Sequence, residues 1–274
     1  MILQTRDKQI LASLSKYGIL SSGQIGELFF GPVRHTTMMR RLRILERAGV
    51  IFRAKGMPDS ESAWYLGSKG AKAIGAEDAV RYTNQNIVHH EVTLSAVRLV
   101  LESLGIGEDF TTETELRKEY EWKGNDPKKD HRVIPDGIFI ATKSNRPHAV
   151  ALEIELQPKN HARLHRIFTE YAMMSEIVRV FYVVSSESIA GLIMNQWSQV
   201  RRLDNSPYLI WCYLDELKKK KDRARVFDSD GLQAPLGTIF DCKKSLLSPK
   251  GEVDRETAHG VSRKEEDELS RQAS

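Results

Sequence analysis

The segment that most constrains this chain is Ala149 to Leu156, in which Glu153 and Glu155 alternate with Leu152, Ile154 and Leu156. Period-two alternation reads as a β-strand and sets both carboxylates on one face of it. The aliphatic neighbours argue against free solvation of that face. Two like charges two residues apart repel, and an adjacent core makes each costlier to ionise. A divalent cation is one physical remedy. Asp136 lies 17 residues before Glu153, at a bend after Pro135 and across a hairpin turned at Asn145-Arg146-Pro147. It can stand beside the two glutamates as a third oxygen ligand. Mg²⁺ and Mn²⁺ prefer such hard oxygens, and a bound ion can activate water or stabilise charge on a phosphoryl group.

The flanking pattern predicts an α/β (α+β) fold built on a mixed sheet. A helix over about 87–104 carries Val88, Val92, Ala96, Leu99 and Val100 at helical spacing. Asp109 to Leu116 reads as the first strand, and the segment from Arg132 through Pro135-Asp136 as the second. After the glutamate strand, Asn160 to Glu176 reads as a helix with Leu164, Ile167, Phe168 and Tyr171 inward. Val178 to Val184 is apolar apart from Arg179, as a largely buried strand should be. A helix over about 186–201 and a strand over Tyr208 to Tyr213 complete the layers.

Upstream, three helices and a hairpin read as a winged helix over residues 1–75. Ile10, Leu11 and Leu14 share one face of the first helix. Ser21 or Ser22 can cap the second, whose buried face would be Ile25, Leu28 and Phe29. The third runs from about Thr36 to Ala48, turns Met38, Leu42 and Leu45 inward, and ends at Gly49. Its outer side collects His35, Thr37, Arg40, Arg41, Arg43 and Arg47, which suits a recognition helix in a major groove. Strands at Val50–Ala54 and Ala63–Leu66 would flank the wing. Thr36, Thr37, Arg40, Arg41, Arg43, Arg53 and Lys55 are the expected DNA-binding residues.

A mixed α/β domain is expected over 86–217, a basic extension over 218–249 with Lys218–Lys221 as a solvated loop, and a disordered tail over 250–274. The formal net charge of +4 is too small to argue for nucleic acid by itself, so the clustering of Arg and Lys carries the point. Cys212 and Cys242 have no partner spacing for a zinc site or a disulfide framework. The N-terminus has no signal-peptide pattern and no apolar run is long enough for a bilayer, so a cytoplasmic protein without a membrane partner is expected.

Pro135-Asp136 followed across a hairpin by Glu153-Ile154-Glu155 resembles the PD-(D/E)XK signature of restriction-endonuclease-like nucleases, with Glu155 where that motif has lysine. Lys159, four residues on, can swing its ammonium back, and Gln157 is another polar neighbour. Together with the winged helix and a helix opening in His89-His90-Glu91, the pattern resembles MobC-type plasmid relaxases and the broader replication-relaxation family. The resemblance implies that residues 86–217 form a restriction-endonuclease-like mixed-sheet catalytic domain, and it implies nicking at a plasmid transfer origin, with Mg²⁺ or Mn²⁺ on Asp136, Glu153 and Glu155 and Lys159 steadying the scissile phosphate. It also implies double-stranded and nicked plasmid DNA as partners, alongside accessory mobilisation and coupling proteins. Two other readings stay open: a catalytically inactive DNA-binding regulator, and a site-specific double-strand endonuclease. Tyr171 or Tyr120 is a conceivable nucleophile, His89, His90 and Glu91 have no settled role, and His161 and His165 read as phosphate-facing or surface residues.

Overall fold

The computed structural model describes residues 2–54, 61–76, 84–107, 109–122, 133–141, 147–200 and 207–240. The N-terminal part contains α1 (Thr5–Tyr17), β1 (Ile19–Ser21), α2 (Ser22–Phe29), α3 (His35–Arg47), β2 (Ile51–Ala54), β3 (Ala63–Leu66) and α4 (Ser68–Ile74). The three strands form an antiparallel sheet in the order β1-β3-β2. Capping explains several boundaries. Ser21 accepts from the Gln24 N–H while the Gln24 side chain accepts from the Ser21 N–H, a reciprocal cap that starts α2. Gly49, at φ +72°, ends α3 in a conformation that side-chain-bearing residues resist. Ile10, Leu11, Leu14, Ile25, Leu42 and Trp64 form the core.

Sequence periodicity misassigned one face here. Leu28 is 44% exposed, and Phe30, one residue beyond α2, is buried in its stead. Neither β1 nor α4 was anticipated. Helix α4 packs so closely that a Cβ on Gly70 would stand 2.1 Å from the Val50 carbonyl oxygen.

The rest of the described chain runs α5 (Gln85–Ser103), β4 (Phe110–Thr112), α6 (Glu113–Trp122), β5 (Gly137–Ala141), β6 (His148–Glu155), α7 (His161–Met173), β7 (Ile177–Val184), α8 (Glu187–Val200), β8 (Tyr208–Tyr213) and α9 (Leu214–Lys220). A short 3-10 turn (Lys221–Arg223), β9 (Arg225–Asp228), β10 (Gln233–Pro235) and α10 (Leu236–Ile239) follow. One seven-stranded mixed sheet results, in the order β10-β9-β8-β7-β6-β5-β4. Strands β6, β7 and β8 are parallel, and the outer pairings are antiparallel. Leu94 and Val97 of α5, Leu217 of α9 and Ile239 of α10 pack with Leu152, Ile154, Phe181 and Ile210 on one sheet face. Phe168 and Tyr171 of α7 and Trp197 of α8 pack with Ala151, Tyr182 and Leu209 on the other.

Three expectations are corrected. The strand expected over Asp109–Leu116 is only three residues long, because Thr112 and Glu115 cap one another and turn the chain into α6. Lys218–Lys221 is no loop: its first three lysines form the last turn of α9, where cations complement the helix dipole. The stretch expected as a basic extension from residue 218 instead adds β9, β10 and α10 to the sheet domain as far as the described chain reaches. Residues 250–274 lie outside the described residues. No helix among those described is long and apolar enough to cross a membrane.

Candidate functional site

Parallel pairing places Glu153 opposite Tyr182 and Glu155 opposite Val184, so both glutamates point to the side of the sheet that carries α7 and α8. Each is only 5% exposed. Asp136 stands just before β5 and is fixed across the hairpin, its Oδ2 accepting the Ile154 N–H at 2.7 Å. From α7, the Tyr171 hydroxyl donates to Glu153 Oε1 at 2.5 Å. Lys159 folds back from the loop before α7, touching Glu155 Oε2 and lying 4.0 Å from Glu153 Oε2. Helix α5 closes the remaining side with His90, whose Nε2 is 3.1 Å from Asp136 Oδ2 and whose Nδ1 is 3.6 Å from Glu91 Oε1.

The charges of this cluster are strongly interdependent. Burial pushes the Glu153 carboxyl up to about 8, with the Asp136 charge adding to the effect and Lys159 and Tyr171 only partly offsetting it. Burial also raises Glu155, against the pull of Lys159. Burial alone would disfavour a charge on Lys159, but Glu153 and Glu155 outweigh that and raise it. For His90 too, burial opposes the charge, yet hydrogen bonds to Asp136 and Glu91 prevail and hold the imidazole at about 10. The pocket therefore holds more carboxylate than its cations neutralise comfortably.

The donor chemistry suits a hard divalent ion. Asp136, Glu153 and Glu155 offer only oxygens, and Glu155 Oε2 is buried without a directed hydrogen bond among the described residues, although the Lys159 ammonium touches it. As packed, no three His, Cys, Asp or Glu side chains among the described residues converge into a ligand set. Lys159 contacts both glutamates, so any cation held by the three carboxylates would have to displace it.

The four acidic and basic residues singled out from the sequence thus come together. Two more join them: His90, unassigned until now, and Tyr171, whose role changes. The Tyr171 phenol is fully buried, and burial together with the Glu153 charge holds it far above its ordinary pKa. It orients Glu153 and is poorly placed to act as a nucleophile. The His90 contact bridges 46 residues of sequence, beyond the reach of any local pattern. Gln157 is exposed, Tyr120 lies on α6, and His161 hydrogen-bonds Gln196 at 3.0 Å. His89 lines a separate groove of about 610 Å³ between α2, α5 and Lys218 and Lys221.

On the winged helix, Thr36, Thr37, Arg40, Arg43 and Arg53 are exposed, and Lys55 lies outside the described residues. Arg41 differs from its neighbours. Its Nε donates to Asp7 Oδ1 at 2.8 Å and its Nη2 contacts Oδ2, tying α3 to the buried start of α1. Desolvation would raise Asp7, but Arg41 and the Gln4 N–H hold its carboxyl low. Arg41→Ala is therefore expected to cost about 3 kcal/mol of stability by stranding a buried carboxylate. Urea unfolding should register that loss, whereas Arg40→Ala should leave the urea midpoint nearly unchanged.

The fold and site define a two-part protein in which a winged helix is packed against a mixed-sheet α/β domain holding a buried acid–lysine cluster. The chain belongs to the replication-relaxation family, whose model matches residues 11–181, more than half its length. The matched span runs from the second half of α1 through most of β7 and contains Asp136, Glu153, Glu155 and Lys159. Membership associates the chain with a replication- or mobilisation-related role involving DNA. Neither the curated proteins nor the solved structures yielded a match.

Proposed function

We propose that this chain is a MobC-type relaxase, a metal-dependent enzyme that nicks one DNA strand at a plasmid transfer origin from a PD-(D/E)XK-like site. The observation that carries the reading is the convergence of Asp136, Glu153, Glu155 and Lys159 at one end of β6. On this reading α3 lies in the major groove of the duplex, with Arg40 and Arg43 at bases or phosphates. Asp136, pinned by the Ile154 N–H and His90, and Glu153, oriented by Tyr171, hold their carboxylates toward the scissile phosphodiester. Lys159 moves from Glu155 to a non-bridging phosphate oxygen. Mg²⁺ or Mn²⁺, held by Asp136, Glu153 and Glu155, would supply water activation and charge stabilisation at phosphorus. Accessory mobilisation and coupling proteins would be the partners in a cytoplasmic setting.

One observation favours a second reading, a DNA-binding regulator that does not cut: Lys159 fills the acidic pocket and no ligand triad is preassembled among the described residues. Incubation with supercoiled plasmid carrying the cognate origin and Mn²⁺ separates the two. Open circles from the wild type but none from Asp136→Ala are expected. Closed plasmid from both would establish the regulator, and linear product would establish a double-strand endonuclease.

A further inference from the structure

Most arginines of the described chain outside two surfaces are engaged internally. Arg41 is bound by Asp7, Arg98 by Glu102, Arg117 by Glu113 and Arg225 by Glu216, while buried Arg179 meets His148. Among the described residues, guanidinium groups with no ion pair, hydrogen bond or ring contact gather in two places, Arg223 in its 3-10 turn aside. One is the winged helix, with Arg34, Arg40, Arg43, Arg47 and Arg53. The other is the first half of α7, with Arg163 and Arg166.

Helix α7 turns Leu164, Ile167, Phe168 and Tyr171 into the core and leaves Arg163, His165 and Arg166 exposed. Arg163 and Arg166 are three apart and so adjoin on the outer surface. From Lys159 to Arg166 the sequence has five basic or imidazole side chains and no acid, a run that starts at the lysine of the pocket. Arg163 is close enough for its charge to lower the Glu155 pKa, so this border is electrostatically continuous with the cluster. A phosphate brought to three carboxylates is repelled by them. A fixed cationic edge offsets that repulsion, and it gains affinity by releasing the counterions of the polyanion.

We propose that the outer face of α7, through Arg163 and Arg166, is a second DNA contact that grips the phosphodiester backbone beside the carboxylate pocket, independently of the winged helix. This rests on the reading of the chain as a DNA-nicking protein, and it identifies where the strand is held relative to the site. The contact is to backbone and so is indifferent to base sequence.

The test is equilibrium binding of the full chain to a short labelled duplex of arbitrary sequence, with chelator present to prevent cutting, over a series of salt concentrations. Arg163→Ala with Arg166→Ala should weaken binding roughly tenfold and reduce the salt slope by about 2, near 0.9 per lost phosphate contact. The paired lysine substitutions should keep the slope, and an unchanged thermal midpoint would verify the fold. Arg40→Ala with Arg43→Ala should lower the slope separately, and all four changes together should sum. An unaltered slope in the α7 variant overturns the contact, as does a four-fold variant no weaker than either pair. If the slope falls but plasmid stays closed with Mn²⁺, the nicking reading fails while the contact stands.

Discussion

Glu153→Gln is expected to stabilise the fold at mildly alkaline pH and, on the nicking proposal, to abolish cleavage. The wild-type carboxyl is 5% exposed and held up at about 8, chiefly by burial and then by the Asp136 charge. An acid whose folded pKa lies above its unfolded value makes the native state the better proton binder. Its penalty is absent below the unfolded value of about 4.3, grows as pH rises through the folded value, and is full above it. Glutamine never ionises, yet it keeps a carbonyl to accept the Tyr171 hydroxyl. The variant should therefore nearly match the wild type around pH 4 and exceed it by on the order of 2–4 kcal/mol at about pH 9. Urea midpoints at the two pH values measure this. A gap of the same size at both would show that ionisation of Glu153 is not its cause.

Lys159→Ala should act in the opposite direction. Its ammonium touches Glu155, lies 4.0 Å from Glu153, and compensates both carboxylates in a space that water reaches poorly. Removing one partner of a buried ion pair strands the other charge, at a cost of about 3–5 kcal/mol. With both glutamates left unneutralised, their folded pKa values rise further. The loss should then be small near pH 5, where they hold protons, and deepen toward about pH 8 as the unfolded chain gives its protons up. Mg²⁺ or Mn²⁺ should restore more of the thermal midpoint in this variant than in the wild type, because the cation no longer competes with the lysine. If neither metal moves the midpoint of either protein, Asp136, Glu153 and Glu155 are not metal ligands. A generally disrupted pocket would not yield one stabilised and one destabilised variant with mirrored pH dependence.

Local periodicity made the centre of the molecule legible. Val180–Val184 and Tyr208–Tyr213 are continuous apolar or aromatic runs that leave little choice but buried strands, and Glu153/Glu155 share a face because a pleat allows nothing else. Helix α3 was readable for the same reason, its 3.6-residue spacing closed by Gly49. The misses have a common physical origin in partners distant along the chain. Strand β1 is three residues long and exists because Leu20 pairs with Trp64. Arg41 looked like its neighbours on α3 until Asp7, 34 residues earlier, was brought against it. Strand β9 is a strand because β8 lies beside it, while its own sequence has no clear period. The acidic site was legible in its residue types, whereas its connection to α5 through His90 was not.

Helix α5 serves two cores at once. Val88 and Val92 pack with Ile19, Ala54 and Ala63 of the three-stranded sheet, while Leu94, Val97 and Leu101 pack into the larger domain. Near its end Arg98 donates to the Lys16 carbonyl, and Glu102 accepts from Lys16 and Tyr17. Stable units separate where few contacts cross, and here the crossing contacts reach well into α5. For inheritance, this makes the winged helix a poor cassette. A recombination joint before α5 would deliver a winged-helix module with Ile19 and Ala63 stripped of cover. A joint that preserves both cores must carry α5 along, and with it His90, so a newly acquired recognition module would bring part of the acidic site with it.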